Sequence, residues 1–480
     1  MVALEYSPGE FVYTTNYNAT EAGTGTATGT QRGIESTGTG SPGIGSTEGS
    51  TEVVPGTSTG IGNTRIQPDP FWCLTNEQKM LIHHFIHDAS QITACHSGMQ
   101  NDICRMLIPM ALQTPSLLHA TTALSAIHLQ AVHNRSENVK AMPDIARFMA
   151  LSLEHFRREL QDPASRGSEA LLATARTLCL AEIHSGAVHP NSWRAHIEGA
   201  KVLMRTVEQN NGSLGGDGFR WYLDRWYRSI VSLTALTANG PPIGEHASVE
   251  MEEGSSPDYL DDYWGFSVHL SAIFRGIGAA AWQQRLDDQP FDPGTKPDEA
   301  SRLELSVRRL MARTASSTPT FYPGVEDGLT SDCVREFMLC NEAFQHSALI
   351  QIQRRLRQTP SSSAAVQASV RRILECTMQI GPSSGLSPWV MLTTPLFIAG
   401  CEAHGEQREQ VRVLLSLLHD TIRVPNVLQS LKFLEQYWNE QMEEEDWCHY
   451  LGMFFFSLLP LPFCIRRILS PSAVILMLTN

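Results

Sequence analysis

Along most of this chain the apolar residues recur every three to four positions, the spacing of one helix face. Leu81, Phe85 and Ala89 stand on one such line, with Ile82 and Ile86 beside it. Thr75 followed by Gln78 is a capping-box pattern, so the spacing predicts a helix over 76–89. Thr114 before Pro115 puts a capping hydroxyl ahead of a proline in the first turn. The helix that follows carries Leu117, Leu124, Ile127 and Ala131 on one face. Ser168 is placed to cap a helix that turns Leu171, Leu172, Ala175, Leu178 and Cys179 inward. Trp193, Ile197, Ala200, Met204 and Val207 form another stripe. Further helical stretches are predicted at 219–238, 268–286, 300–313, 331–357, 364–379, 395–403 and 409–422. Ser387-Pro388 and Thr394-Pro395 repeat the cap-then-proline signal.

The segments near 210–218, 240–256, 287–297 and 316–328 are rich in Gly, Pro and Asp and read as loops. Strand-like alternation is nearly absent, and no fixed-period repeat is visible. The pattern predicts an all-α fold of packed helices, in one large domain or two packed helical subdomains. Three regions are expected. Residues 1–68 are a low-complexity tail dominated between 22 and 62 by Gly, Thr and Ser, too poor in apolar surface to offset its ordering entropy. Residues 69–450 form the helical domain, with order beginning at Phe71. Residues 451–480 are an apolar C-terminal tail. Its run from 451 to 465 is short for a membrane span and is interrupted by Pro460 and Pro462, so the expectation is a buried or poorly ordered end and no membrane partner. A spanning segment, and a tail foreign to the domain such as the product of a shifted reading frame, are the alternatives.

Composition narrows the function classes. The chain has 480 residues, 42% of them hydrophobic, and a formal net charge of -14. A net negative surface repels phosphate, so the body of the chain is not expected to bind nucleic acid itself. Residues 1–10 lack a basic stretch followed by an apolar core, so the ten cysteines are expected reduced, and the N-x-S/T triplets at Asn18, Asn134 and Asn211 are chance matches.

One stretch runs from Leu107, Ile108 and Pro109 through Pro115–Ala120 to Ala126, Ile127, His128 and Leu129. Trp193, His196, Gly199 and Ala200 make a W-x-x-H-x-x-G-A helix pattern, and Pro395–Ala403 is a third stretch. These stretches, Pro395–Ala403 most specifically, resemble the fungal-specific transcription factor domain, the helical region that usually follows a Zn2Cys6 DNA-binding cluster. Trp438 and the pair Asp446-Trp447 stand where the family has Trp and Asp-Trp. The likeness covers 77–450. It implies a regulator of transcription in the nucleus that works through protein partners or a small-molecule effector. The sequence departs from the family pattern in that no two cysteines have the C-x2-C spacing of a zinc knuckle, and no basic stretch precedes Phe71. DNA is then reached only indirectly, and the oligomeric state stays open. Read as structure, the small pairs Gly199-Ala200 and Ala399-Gly400 are sites of close helix approach, and Trp193 and Trp438 are apolar anchors.

Four groups invite chemistry. His83 and His87 stand at i, i+4, a zinc-chelating spacing, but His84 occupies the place where a zincin motif needs Glu. Surface and partly buried histidines are the plainer reading. Gly381, Ser383 and Gly385 match G-x-S-x-G, yet a helical pattern precedes them where a nucleophile elbow needs a strand. Asp258, Asp261 and Asp262 are similar to the aspartate-rich Mg2+ motif of terpene synthases. The third aspartate and a second metal motif are missing, so a solvated, Asp-rich helix start is the plainer account. An all-α isoprenoid-type enzyme using these three residues is the alternative function. Arg354, Arg355 and Arg357, and Arg371 with Arg372, read as helix surface. No residue is assigned as catalytic, cofactor-binding, metal-ligating or DNA-binding, and no cofactor is expected.

Overall fold

A computed structural model describes residues 71, 73–133, 143–162, 165, 168–186, 192–211, 219–236, 258–286 and 299–440. The expected tail at 1–68, the loop at 240–256 and the apolar end at 451–480 lie outside them. The chain divides into units of residues 1–72 and 73–480, and the second holds every described helix.

Fourteen α-helices follow one another among the described residues. They are α1 Asn76–His84, α2 Ser97–Gln113, α3 Pro115–His133, α4 Ile145–Gln161, α5 Glu169–Ser185, α6 Ser192–Asn211 and α7 Phe219–Thr234. The rest are α8 Val268–Leu286, α9 Glu299–Ser316, α10 Ser331–Gln351, α11 Ala364–Ile380, α12 Thr393–Cys401, α13 Glu406–Ile422 and α14 Pro425–Asn439. The all-α expectation holds. No strand appears among the described residues; Tyr259 with Thr320 and Leu260 with Ser267 make isolated bridges.

Local chemistry sets many boundaries. Thr75 accepts from the Gln78 backbone N–H while the Gln78 side chain accepts from Thr75, a complete capping box. The helix predicted over 76–89 nevertheless changes pitch: it is α-helical to His84 and a π turn from Phe85 to Ala89. Ser168 stands at the N-cap of α5, but its side chain makes no capping bond, a correction to the sequence reading. Thr394 is not a cap either, because α12 starts one residue earlier with Leu392 at its N-cap. Ser387 does cap, receiving the Trp389 N–H at the head of a short 3-10 turn.

Helix α3 packs against α1, α2, α4 and α5, and α5 packs against α6. Leu81, Ala123, Ala126 and Phe148 form a small core there. The main core gathers helices α8 to α14 around Phe266, Phe274, Phe344, Trp389 and Tyr437. Helix α7 touches α5, α6 and α8, and α14 returns to α5, so the two groups of helices share a seam.

The resemblance motifs serve this packing. Gly400 lies so close to α14 that an added Cβ would sit 2.5 Å from Leu434 Cδ1, and its carbonyl accepts from Trp438 Nε1 at 2.8 Å. His196 Nε2 is 3.1 Å from Glu182 Oε1, tying α6 to α5. Gly199 corrects the reading of close approach: a Cβ there would meet nothing within 4 Å.

Candidate functional site

The three aspartates do not form an exposed metal cluster. They sit between α7 and α8, in the bridged segment, with Asp261 and Asp262 buried. Arg225 of α7 reaches them both: Nε and Nη2 bind Asp261 at 3.0 and 2.7 Å, and Nη2 binds Asp262 at 2.5 Å. Asp261 also accepts the Tyr263 N–H, and Asp262 accepts from His96 Nε2 at 2.9 Å. His96 caps α2, its Nδ1 receiving the Met99 N–H, so the hydrogen bonds assign it the neutral tautomer with the proton on Nε2. Asp258 stands apart, on the backbone N–H of His269. These contacts correct the reading of a solvated helix start and fill the oxygens that Mg2+ would need.

Burial raises the Asp261 carboxyl despite the opposing Arg225 charge. At Asp262 burial pushes the same way, but the His96 hydrogen bond and Arg225 outweigh it and the net shift is downward. The Arg225 guanidinium is stacked among aromatic rings, 3.9 Å from the centroid of Tyr263, 4.3 Å from Tyr322 and 4.4 Å from Trp221. This is a rigid strut that fixes α7 against the segment bearing Tyr263.

The other face of α7 looks into a cavity of about 190 Å³ at the seam between the two helix groups. Tyr222, Trp226, Ile230 and Leu233 of α7 line it, with Arg176 and His184 of α5, Tyr263 and Trp264, Phe344 of α10, and Val424 and Asn426 near α14. Tyr263 belongs to both sites: its ring lies under Arg225, packs edge-on against Tyr222 at 4.9 Å, and forms cavity wall. Burial raises the Tyr222 hydroxyl and pushes His184 down to about 4, so both are neutral near pH 7. Tyr222 Oη, Trp226 Nε1 and Arg176 Nε are buried, and among the described residues they find no hydrogen-bond partner.

The remaining sequence candidates have local partners. The His83 and His87 rings lie 4.3 Å apart on an exposed face, while His84 turns inward to His128, 3.0 Å away, and to Asp88. Among the described residues no three His, Cys, Asp or Glu side chains are grouped to hold a metal ion. Ser383 donates to the Gly385 carbonyl in a loop that follows α11, with no strand before it. Arg354 and Arg355 are turned inward, which corrects the surface reading for those two, while Arg357 is exposed. Arg354 Nε stands 2.8 Å from the buried Glu402 carboxylate, a close pair without hydrogen-bond alignment. Arg355 donates to the Leu236 carbonyl, Arg357 pairs with Glu304, and Arg372 pairs with Glu342.

The fold and site define an all-α body of packed helices with a cavity at the seam between its two helix groups. A family model described as the fungal specific transcription factor domain matches residues 80–456. The chain belongs to that family. Neither the curated proteins nor the solved structures contain a significant match. Sequence reasoning named Asp261 and Asp262 but missed Arg225, Arg176 and the cavity. A signal was present in α7, where Trp221 with Arg225 and Tyr222 with Trp226 place an aromatic–cation pair and an aromatic pair side by side at i, i+4.

Proposed function

We propose that this chain is a regulator of transcription in the nucleus, not an enzyme, that acts through protein partners and responds to a small molecule held in the α5–α7–α10 cavity. Membership of the family carries the transcriptional reading. The cavity carries the effector reading: concave, mostly apolar and set where helices from both groups meet, it is placed so that occupancy changes their packing. DNA is engaged through a partner, since the chain carries a net charge of -14 and no zinc-knuckle cysteine spacing. The test is a reporter assay with the whole chain fused to an unrelated DNA-binding module. Output different from that of the module alone is expected; identical output with the fusion present at equal abundance contradicts the proposal.

The isoprenoid reading loses its support from the site, because Asp261 and Asp262 are committed to Arg225 and His96. Incubation with Mg2+ and a prenyl diphosphate is expected to release no diphosphate.

A further inference from the structure

We propose that the interior cavity takes a compact organic carboxylate, its acid group held by Arg176 and its apolar body against the α7–α10 wall. The inference rests on the reading of the cavity as an effector seat. Arg176 is 3% exposed, and among the described residues it has no carboxylate partner; its described company is the Tyr222 ring, 4.9 Å from the guanidinium carbon. A guanidinium is a permanent cation with five donors, and burying one unpaired is costly. The buried arginines at 225 and 355 each have an acid or a carbonyl on them. Arg176 instead lines the cavity, whose described lining contains no Asp or Glu.

Two more donors share that wall. Trp226 and Tyr222 both line the cavity and are at least nine-tenths buried, and among the described residues Trp226 Nε1–H and Tyr222 Oη–H find no hydrogen-bond partner. A buried donor left unmade is destabilising, and three on residues of one lining are the pattern that a small shift of these side chains onto an acceptor-rich, negatively charged group completes. The remaining lining sets the rest of the ligand. Ile92, Met99, Ile230, Leu233, Trp264 and Phe344 offer an apolar surface, so a bare inorganic anion would leave most of the space unsatisfied. A cavity of about 190 Å³ is somewhat larger than the roughly 150 Å³ void that holds benzene, which limits the body to about one ring or a branched chain of similar bulk. His184, neutral near pH 7, and Asn426 add polar groups to the lining for a further substituent.

The experiment is calorimetric titration of the purified full chain with phenylacetate, benzoate and 4-methylpentanoate, alongside phenylacetamide and inorganic phosphate. At least one carboxylate is expected to bind at one per chain, with phenylacetamide weaker than phenylacetate by at least about tenfold, the cost of losing a charge-assisted pair. R176M is expected to erase the acid-over-amide preference and to raise the melting temperature of the unliganded chain, which an arginine with a merely structural role would lower. R176K keeps the charge and covers the case in which R176M does not fold: it is expected to weaken the acid and leave the amide unchanged. No binding by any carboxylate, equal binding of acid and amide, or phosphate binding as well as the organic acids overturns the proposal. Because titration needs no promoter, a silent reporter fusion with intact acid binding faults the regulatory reading alone. A responsive reporter with no acid binding faults the ligand class alone.

Discussion

At the scale of single residues, the chain buries several ionisable groups, and their partners decide what each one does. Arg225 is the keystone of a cluster with two carboxylates, and its removal leaves both acids in the interior. Arg225→Ala is therefore expected to destabilise the fold by about 3–5 kcal/mol, measurable by urea unfolding, whereas a pair at the surface would change stability by under about 1 kcal/mol. The histidines set the acid side of the stability profile. Burial, reinforced by the neighbouring His84, pushes His128 down from 6.5 to about 4, and burial does the same to His184. A histidine whose folded value is depressed stays neutral in the fold while the unfolded chain takes up a proton. Stability from these two residues is thus complete above 6.5 and is lost as pH falls from 6.5 towards 4, by on the order of 3 kcal/mol for His128. Thermal melts at intervals across that window should show the decline, and His128→Gln should flatten it. The sequence displayed these side chains but not their burial. Asp261 and Asp262 look like an exposed acidic patch because their cation lies 36 and 37 positions away on another helix.

At the scale of elements, boundaries written in local chemistry were legible and those written in tertiary packing were not. Thr75 and Gln78 form the capping box their spacing foretold, so Thr75→Ala should cost about 1 kcal/mol; Ser168, at a cap position but making no capping bond, should be near neutral to the same change. Denaturant midpoints of the two variants separate these outcomes. Helix α2 escaped the period reading because Pro109 sits inside it and Gly98 opens it. Helices α4 and α14 had usable signals, Phe148, Ser152, Phe156 and Leu160 at strict four-residue spacing in one and Pro425 in the first turn of the other. The pitch changes at 85–89 and 352–356 have no mark in the residue pattern. Gly278 shows a packing constraint that sequence also hides. A Cβ there would collide with the Ala235 carbonyl at the end of α7, a backbone atom that cannot swing away. Gly278→Ala is expected to destabilise by about 1–3 kcal/mol even though alanine is the better helix former, and a gain in stability would contradict the close approach.

At the scale of the whole molecule, the helical architecture and the family were readable from periodicity and motif. The proposed effector seat was not, because it is a seam to which α5, α7, α10 and the start of α14 each contribute a few residues. The motif residues Gly400, Trp438 and His196 turned out to hold helices together, so the likeness marks the scaffold and not the site. The chain has a net charge of -14, and among the described residues Arg357 and Arg372 are paired with Glu304 and Glu342, an arrangement that disfavours phosphate. The isolated chain is accordingly expected to select no defined motif from a pool of genomic fragments, even at about 50 mM salt where phosphate contacts are strongest. The central claim is that the state of the seam cavity sets the regulatory output. It is tested most directly by comparing reporter output from tethered wild type and a cavity-filled Ile230→Trp variant of equal abundance and undiminished melting temperature, across growth on different carbon sources. The account predicts that output from the wild type varies with the medium while the filled variant stays locked at one level. Two proteins that track each other in every medium would contradict it.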